Sequence, residues 1–338
     1  MARAAPRAAI VGVAGPALAP DEERLFRRRP PAGLILFARN LIDQAQVFDL
    51  TAEFRRTVGR EDSPVLIDQE GGRVARLGAP HWRRPPAASA FAALYARDPA
   101  AARRAAFLNA RLIADDLVAI GIDVDCAPVL DLPVPGAHDV IGDRAHGDTP
   151  RVAASLGRAV ARGLLAGGVV PVMKHIPGHG RATADSHHAL PVVEASETAL
   201  LARDAKPFAA LAAVIPWAMT AHIVYTAIDA DRPATLSPAV IRFIRRRIGF
   251  GGVLMTDDLA MRALSGDPAR LALAAIAAGC DLVLECPGNI ERTEAVLDAV
   301  PELSVAAARR LKAARRAASA LRRFDRARAE RALDALLR

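Results

Sequence analysis

Four of the chain's eight histidines fall between Lys174 and Pro191, in the stretch KHIPGHGRATADSHHALP. Ionisable groups at this density can hold a metal or move protons. His175 and His179 have the i,i+4 spacing of a helical zinc pair, but Pro177 and Gly178 lie between them and no helix can hold that face. Asp185 and His187 could add ligands, yet the rest of the chain offers no Cys or His set of zinc spacing, so no metal is expected. Proton transfer is the other chemistry. An imidazole with an ordinary pKa of about 6.5 suits giving and taking a proton near neutrality. His187 could do this with Asp185, two residues earlier, holding one tautomer. Gly178 and Gly180 suit a loop that moves over a substrate, although a purely structural loop fits the same spacing. Further on, Asp257 follows the apolar run VLMT. A carboxylate there could attack an anomeric carbon, as a retaining glycosidase requires, or simply anchor a loop.

These groups need a frame. Short apolar, β-branched runs recur at 8–15, 33–37, 64–70, 122–131, 169–178, 215–225, 251–259 and 280–285, with helix-like stretches between them. Apolar strands alternating with helices indicate a parallel sheet covered on both faces. Eight such units predict a closed (β/α)8 TIM-type barrel over residues 1–300. Asp68, Gln69, Glu70, Asp131, Lys174, His175, His222, Asp257 and Asp258 all fall at the downstream ends of these runs, with Arg73 and Arg76 close behind. In a barrel those ends share the face that carries active sites. Burying each polar group without a partner would cost about 1–3 kcal/mol, so they are expected to bind one another and a polar ligand.

The bulk of the chain narrows the choices. A 338-residue chain can bury a large core without disulfides, and at 4% aromatics Ala, Leu and Val must fill it. Cys126, Cys280 and Cys286 are odd in number and have no CxxC spacing, which suits buried thiols in a reducing compartment. The apolar run near the start mixes in glycine and continues into ordinary sequence, so it reads as a first strand rather than a leader. No stretch reaches about 18 apolar residues without a charge, so no membrane span is expected. No GxGxxG or GxxxxGK[ST] loop follows a strand, which argues against a nucleotide cofactor. The net charge of +8 is concentrated beyond residue 300, where eleven Lys or Arg face four Asp or Glu. Residues 301–338 are read as a basic helical C-terminal extension packed on the barrel by its Leu side. A polyanion-binding tail is the rival reading, but no recognition motif accompanies it.

Long ordered motifs then point to a family. GLILFARN, LIDQEGGRVARL, CAPVLDLPVP, IGDR, KHIPGHG with DSH, AHIVYTAIDADRPATLSP, GFGGVLMTDDLAM and AAGCDLVLEC run from Gly33 to Cys286. The sequence resembles bacterial β-N-acetylhexosaminidases of glycoside hydrolase family 3, the single-domain cytoplasmic type used in peptidoglycan recycling. The resemblance implies a (β/α)8 barrel and a covalent glycosyl-Asp intermediate on Asp257. It implies His187 as acid/base with Asp185 as its partner. It implies that Asp68, Arg76, Arg144, Lys174 and His175 grip N-acetylglucosamine. His179 has no implied catalytic role and is expected to organise the loop by hydrogen bonding, and His188 to face solvent. Asp258 is the structural neighbour of the nucleophile, with an exchange of their roles left open. Many members carry a second domain that donates a Glu acid/base. None is expected here, which fits His187.

The implied reaction releases terminal β-linked N-acetylglucosamine from GlcNAc-β-1,4-1,6-anhydro-MurNAc, with or without peptide. The implied protein is a cytoplasmic monomer whose partner is a small muropeptide or disaccharide. It needs no metal, cofactor, membrane or nucleic acid. A histidine in place of a carboxylate repels anions less, so a phosphate-dependent phosphorylase stays open as an alternative.

Overall fold

The structure is a computed structural model that describes residues 5–186, 188–318 and 324–338. Its strands are β1 (Arg7–Val11), β2 (Pro31–Leu36), β3 (Val65–Ile67), β4 (Gln69–Gly71), β5 (Val74–Ala75) and β6 (Val124–Asp125). They continue as β7 (Val170–Ile176), β8 (Val192–Val193), β9 (Trp217–Thr220), β10 (Val224–Tyr225), β11 (Val253–Asp258) and β12 (Leu282–Glu285). Eight of them close a barrel in the order β1-β12-β11-β9-β7-β6-β3-β2, parallel throughout. Each of the eight expected runs overlaps one barrel strand, with β1 and β2 starting one and two residues earlier than expected. The run at 122–131 pairs over a shorter length because Pro128 has no N–H to donate, and pairing resumes at a bridge between Val129 and Lys174. Two small sheets decorate the mouth, the β4–β5 hairpin and the β8–β10 pair.

The helices are α1 (Pro20–Arg28), α2 (Gln44–Val58), α3 (Ala88–Arg97), α4 (Pro99–Ala119), α5 (Pro150–Ala166) and the one-turn α6 (Glu197–Ala199). After them come α7 (Lys206–Leu211), α8 (Pro238–Arg246), α9 (Pro268–Ala278), α10 (Ile290–Ala299), α11 (Val305–Ala317) and α12 (Arg326–Leu337). Four start with the same device: Asp98, Thr149, Ser237 and Asp267 accept a backbone N–H from the first turn, and a proline follows each. The cap satisfies an orphan donor, and proline at the first helical position has no N–H to waste.

Inside the barrel, Ile10, Ile35, Leu66, Val172, Trp217, Met219, Met255 and Leu284 form one cluster. Ala314 and Ala318 from the α11 segment join it, so this segment closes the end of the barrel away from the mouth. A larger apolar layer lies between strands and helices, rich in Ala, Leu, Val and Ile as the composition requires. Arg310 of α11 and Arg245 of α8 both bind Asp281, at 2.5 and 2.8 Å. Arg326 of α12 reaches Asp115 and Asp116 on α4 at 3.1 and 2.7 Å.

Candidate active site

At the mouth, the end of β3 and the β4–β5 hairpin present Asp68 and Glu70. The hairpin is set by the Gln69 amide, which accepts from the N–H groups of Arg76 and Leu77 and donates to the Leu77 carbonyl. Lys174, near the end of β7, is buried between the two carboxylates, with Nζ 2.7 Å from Asp68 Oδ1 and 2.6 Å from Glu70 Oε1. Arg144 approaches from its loop and holds Glu70 with two parallel bonds of 2.8 Å. Arg76 donates to the other Asp68 oxygen at 3.1 Å, with its guanidinium 5.3 Å from the centre of the Phe37 ring. Burial opposes charge on Asp68, Glu70, Lys174 and Arg144, but the pairing wins. Lys174 and Arg76 hold the Asp68 carboxyl well below the usual range, and Lys174 and Arg144 do the same for Glu70. The Lys174 ammonium and the Arg144 guanidinium are held charged above their ordinary values by these carboxylates.

A second cluster is built around Asp131, which is fully buried. It accepts the His175 ring Nδ1 at 2.7 Å, the His175 N–H at 3.2 Å and the His179 N–H at 2.6 Å. Burial would raise its carboxyl, but the contacts with His175 outweigh this and lower it. An ionised Asp131 makes Nδ1 the donor of the short bond, which turns His175 Nε2 toward Asp257 Oδ2 at 4.0 Å. Asp257 stands near the end of β11, where the register against β12 shifts between Met255 and Asp258. Such irregularities re-aim side chains near functional sites. Its Oδ1 accepts the Asp258 N–H at 2.8 Å. Burial alone would raise the Asp257 carboxyl, yet His175 beside it holds it below its ordinary value. The Asp258 side chain is engaged differently, accepting the N–H groups of Ala260 at 3.1 Å and Cys286 at 3.0 Å, and burial raises its carboxyl.

The histidine loop leaves β7 through a sharp turn. Gly178 has φ +137°, and a side chain on Gly180 would sit 2.0 Å from the Leu132 carbonyl oxygen, so both positions need glycine. The buried His179 ring packs 5.6 Å from the His175 ring and bonds Ser186 Oγ through Nε2 at 3.2 Å. It thus ties the start of the loop to the DSH segment, the organising part expected of it. Burial, with His175 beside it, pushes its pKa down to about 4. Asp185 lies 3.9 Å from His188 Nε2, and the His188 side chain is 74% exposed, as expected. His187 itself lies outside the described residues. Among the described residues no three His, Cys, Asp or Glu are grouped as a metal site requires.

The structure therefore gathers Asp68, Arg76, Arg144, Lys174, His175 and Asp257 at one mouth. Arg73 is elsewhere, paired with Asp139 at 3.2 Å and Asp143 at 3.1 Å at the rim. Sequence reasoning gave Glu70 and Asp131 no assigned part, although Glu70 bridges two cations and Asp131 seats His175. The signal available was charge balance, since a buried Lys and Arg at one mouth require carboxylates beyond Asp68.

A parallel barrel with one carboxylate standing clear beside a cluster of paired carboxylates and cations has the build of a glycoside hydrolase. The model of the Glycosyl hydrolase family 3 N terminal domain matches residues 15–320, and the chain belongs to that family. It is 40% identical over 284 residues to a beta-hexosaminidase of Bordetella parapertussis, covering 83% of this chain and 80% of that one. Among solved structures, a family 3 beta-N-acetylglucosaminidase from Paenibacillus sp. matches 97% of this chain at 32% identity and TM-score 0.86, and the chain spans 66% of that longer protein. NagZ from Neisseria gonorrhoeae, in complex with N-trifluoroacetyl-D-glucosamine, matches 100% of this chain and 99% of its own at 30% identity and TM-score 0.88.

Proposed function

We propose that the chain is a retaining β-N-acetylhexosaminidase that removes terminal β-linked N-acetylglucosamine from peptidoglycan fragments. The observation that carries this is Asp257, biased toward the ionised form and standing beside His175 and the Asp68–Lys174–Glu70–Arg144 cluster. In the first step an Asp257 oxygen bonds to the anomeric carbon as the glycosidic C–O bond breaks. The aglycone oxygen keeps the bonding pair and takes a proton from His187. In the second step His187 takes a proton from water, which attacks the same carbon and releases Asp257. Asp185 orients the His187 ring. Asp68 and Glu70 can accept sugar hydroxyls, while Arg76, Arg144, Lys174 and His175 donate to hydroxyls or to the acetamido carbonyl.

Water is the favoured acceptor over phosphate. Among the described residues Arg76, Arg144 and Lys174 each face a carboxylate already, so a phosphate dianion would meet the Asp257 carboxylate with no unpaired Lys or Arg of this cluster beside it. The substrate is read from the family resemblance and from the GlcNAc analogue held by the Neisseria structure. The natural substrate is then GlcNAc-β-1,4-1,6-anhydro-MurNAc, with or without peptide, met by a cytoplasmic monomer. Three free buried cysteines suit that compartment, and among the described residues no helix is long and apolar enough to cross a membrane. Residues 301–338 act as a helical extension of the barrel rather than as a binding tail. The test compares 4-nitrophenyl β-N-acetylglucosaminide with the matching β-glucoside, each with and without phosphate. Release from the first alone, independent of phosphate and with retention of configuration, is expected. Equal turnover of the glucoside, or a requirement for phosphate, would refute the reading.

A further inference from the structure

His222 lies in the loop after β9, between the Ala221 backbone and β11, and is fully buried. Both its ring nitrogens are engaged. Nε2 is 2.9 Å from the Asp258 carbonyl oxygen, and a carbonyl can only accept, so Nε2 carries a proton. Nδ1 is 2.7 Å from Thr235 Oγ1. Burial drives the pKa of His222 down, so the ring is neutral and Nδ1 accepts the Thr235 hydroxyl proton. Thr235 Oγ1 can then accept from Thr220 Oγ1, 2.8 Å away; its approach to the Ala221 carbonyl, at 3.2 Å, is the longer alternative. The bonds run one way, from Thr220 to Thr235 to His222 to the carbonyl of residue 258, and all three side chains are buried.

That carbonyl belongs to the residue whose N–H donates to the Asp257 carboxylate and whose own side chain is clamped by Ala260 and Cys286. Residue 258 is thereby held at its N–H, its carbonyl and its carboxylate, at the place where β11 shifts register. We propose that His222, fixed as the neutral Nε2–H tautomer by Thr235 and Thr220, is a positioning residue that aims the Asp257 carboxylate by anchoring the backbone of Asp258. This rests on the reading of Asp257 as nucleophile. It assigns the AHIVY and RPATLSP motifs a part in the glycosylation step, through a contact that leaves the sugar-gripping cluster untouched.

The experiment uses the whole chain with His222→Ala, His222→Gln and Thr235→Val. The readouts are the rate of covalent labelling by 5-fluoro-N-acetylglucosaminyl fluoride, kcat and KM on an aryl N-acetylglucosaminide, and Kd for N-acetylglucosamine. A small displacement of a reacting group can cost about 100-fold in rate. His222→Ala should label about 100-fold more slowly and Thr235→Val about 10-fold more slowly, with Kd for N-acetylglucosamine within twofold of wild type. His222→Gln, whose amide N–H can reach the same carbonyl, should recover most of the labelling rate. Should His222→Ala fail to fold, Thr235→Val and His222→Gln carry the test. Wild-type labelling by Thr235→Val, no recovery by Gln, or parallel loss of labelling and sugar affinity would each overturn the positioning role. Peptide mapping of the labelled wild-type protein separates the two readings: a label on a residue other than Asp257 sinks the nucleophile assignment instead.

Discussion

Removing Glu70 tests whether the paired cluster is what seats the sugar. Its side chain is 6% exposed, against 10% for Arg144 and 3% for Lys174. In Glu70→Ala, Arg144 keeps only its bond to the Val140 carbonyl, and Lys174 keeps only Asp68. Removing one partner of a buried pair typically costs about 3–5 kcal/mol, and the surviving Lys174–Asp68 contact places this case in the lower half of that range. For 338 residues, an unfolding entropy of about 2.1 cal/mol/K per residue amounts to about 0.7 kcal/mol/K, so Tm should fall by about 4–6 °C. Glu70→Gln, which keeps an acceptor but not the charge, should lose about half as much. KM for an aryl N-acetylglucosaminide should rise at least about 10-fold in Glu70→Ala, because Lys174 and Arg144, the proposed donors to the sugar, lose their hold. The Glu70 carboxyl is held below its ordinary value despite burial, chiefly by Lys174. Its stabilising contribution is therefore present above the unfolded value of 4.5 and is lost as pH falls through the lower folded value. The gap between wild type and variant should close in acid. Calorimetry from pH 3 to 7, beside kinetics at neutral pH, reads all of this. A Tm within 1 °C of wild type together with an unchanged KM would refute the reasoning.

Other outcomes follow from the same geometry. Asp257→Asn should retain its fold and N-acetylglucosamine affinity while losing at least about 1,000-fold in turnover; turnover near wild type would remove its assignment. His187→Ala should lose most activity on poor leaving groups and far less on good ones, because a stable phenolate needs little protonation. Asp185→Ala should show a milder form of that pattern, and His179→Ala a loss of stability instead; an aryl leaving-group series measures all three. A steeper leaving-group dependence in His179→Ala than in His187→Ala would identify a different acid. Asp125 is fully buried, and burial lifts its pKa from 3.8 to about 7. Folding thus favours its protonated form, fully tolerated below pH 3.8 and opposed as pH rises through 7. Asp125→Asn should accordingly raise Tm relative to wild type at pH 8 more than at pH 5, and thermal melts at the two pH values check it.

The barrel was legible because each strand is a short apolar run between helical patterns, a signal that survives without any tertiary information. The mouth was legible for a related reason: polar residues ending apolar strands have nowhere else to go. What stayed hidden depends on contacts between distant segments. Nothing local marks Asp131 as the seat of His175, 44 residues away, or Thr235 as the partner of His222. Arg73 and Arg76 look alike in DQEGGRVAR, yet the β4–β5 hairpin sends one to the rim and the other to Asp68. That the backbone N–H groups of Ala260 and Cys286 engage the Asp258 carboxylate and not that of Asp257 is a matter of register at the end of β11, which no local pattern shows.

The closure of the barrel has a consequence for synthesis. The outer edge of β1 is completed only by β12, through the pairing of Ala9 with Val283 and Val11 with Glu285. The Pro301 carbonyl then takes the Ala8 N–H, and Leu303 returns a bond to the Pro6 carbonyl. A nascent chain leaving the ribosome at about 5–20 residues per second thus exposes one bare strand edge for roughly 15–60 s before its partner exists. The first strand made is among the last to be satisfied.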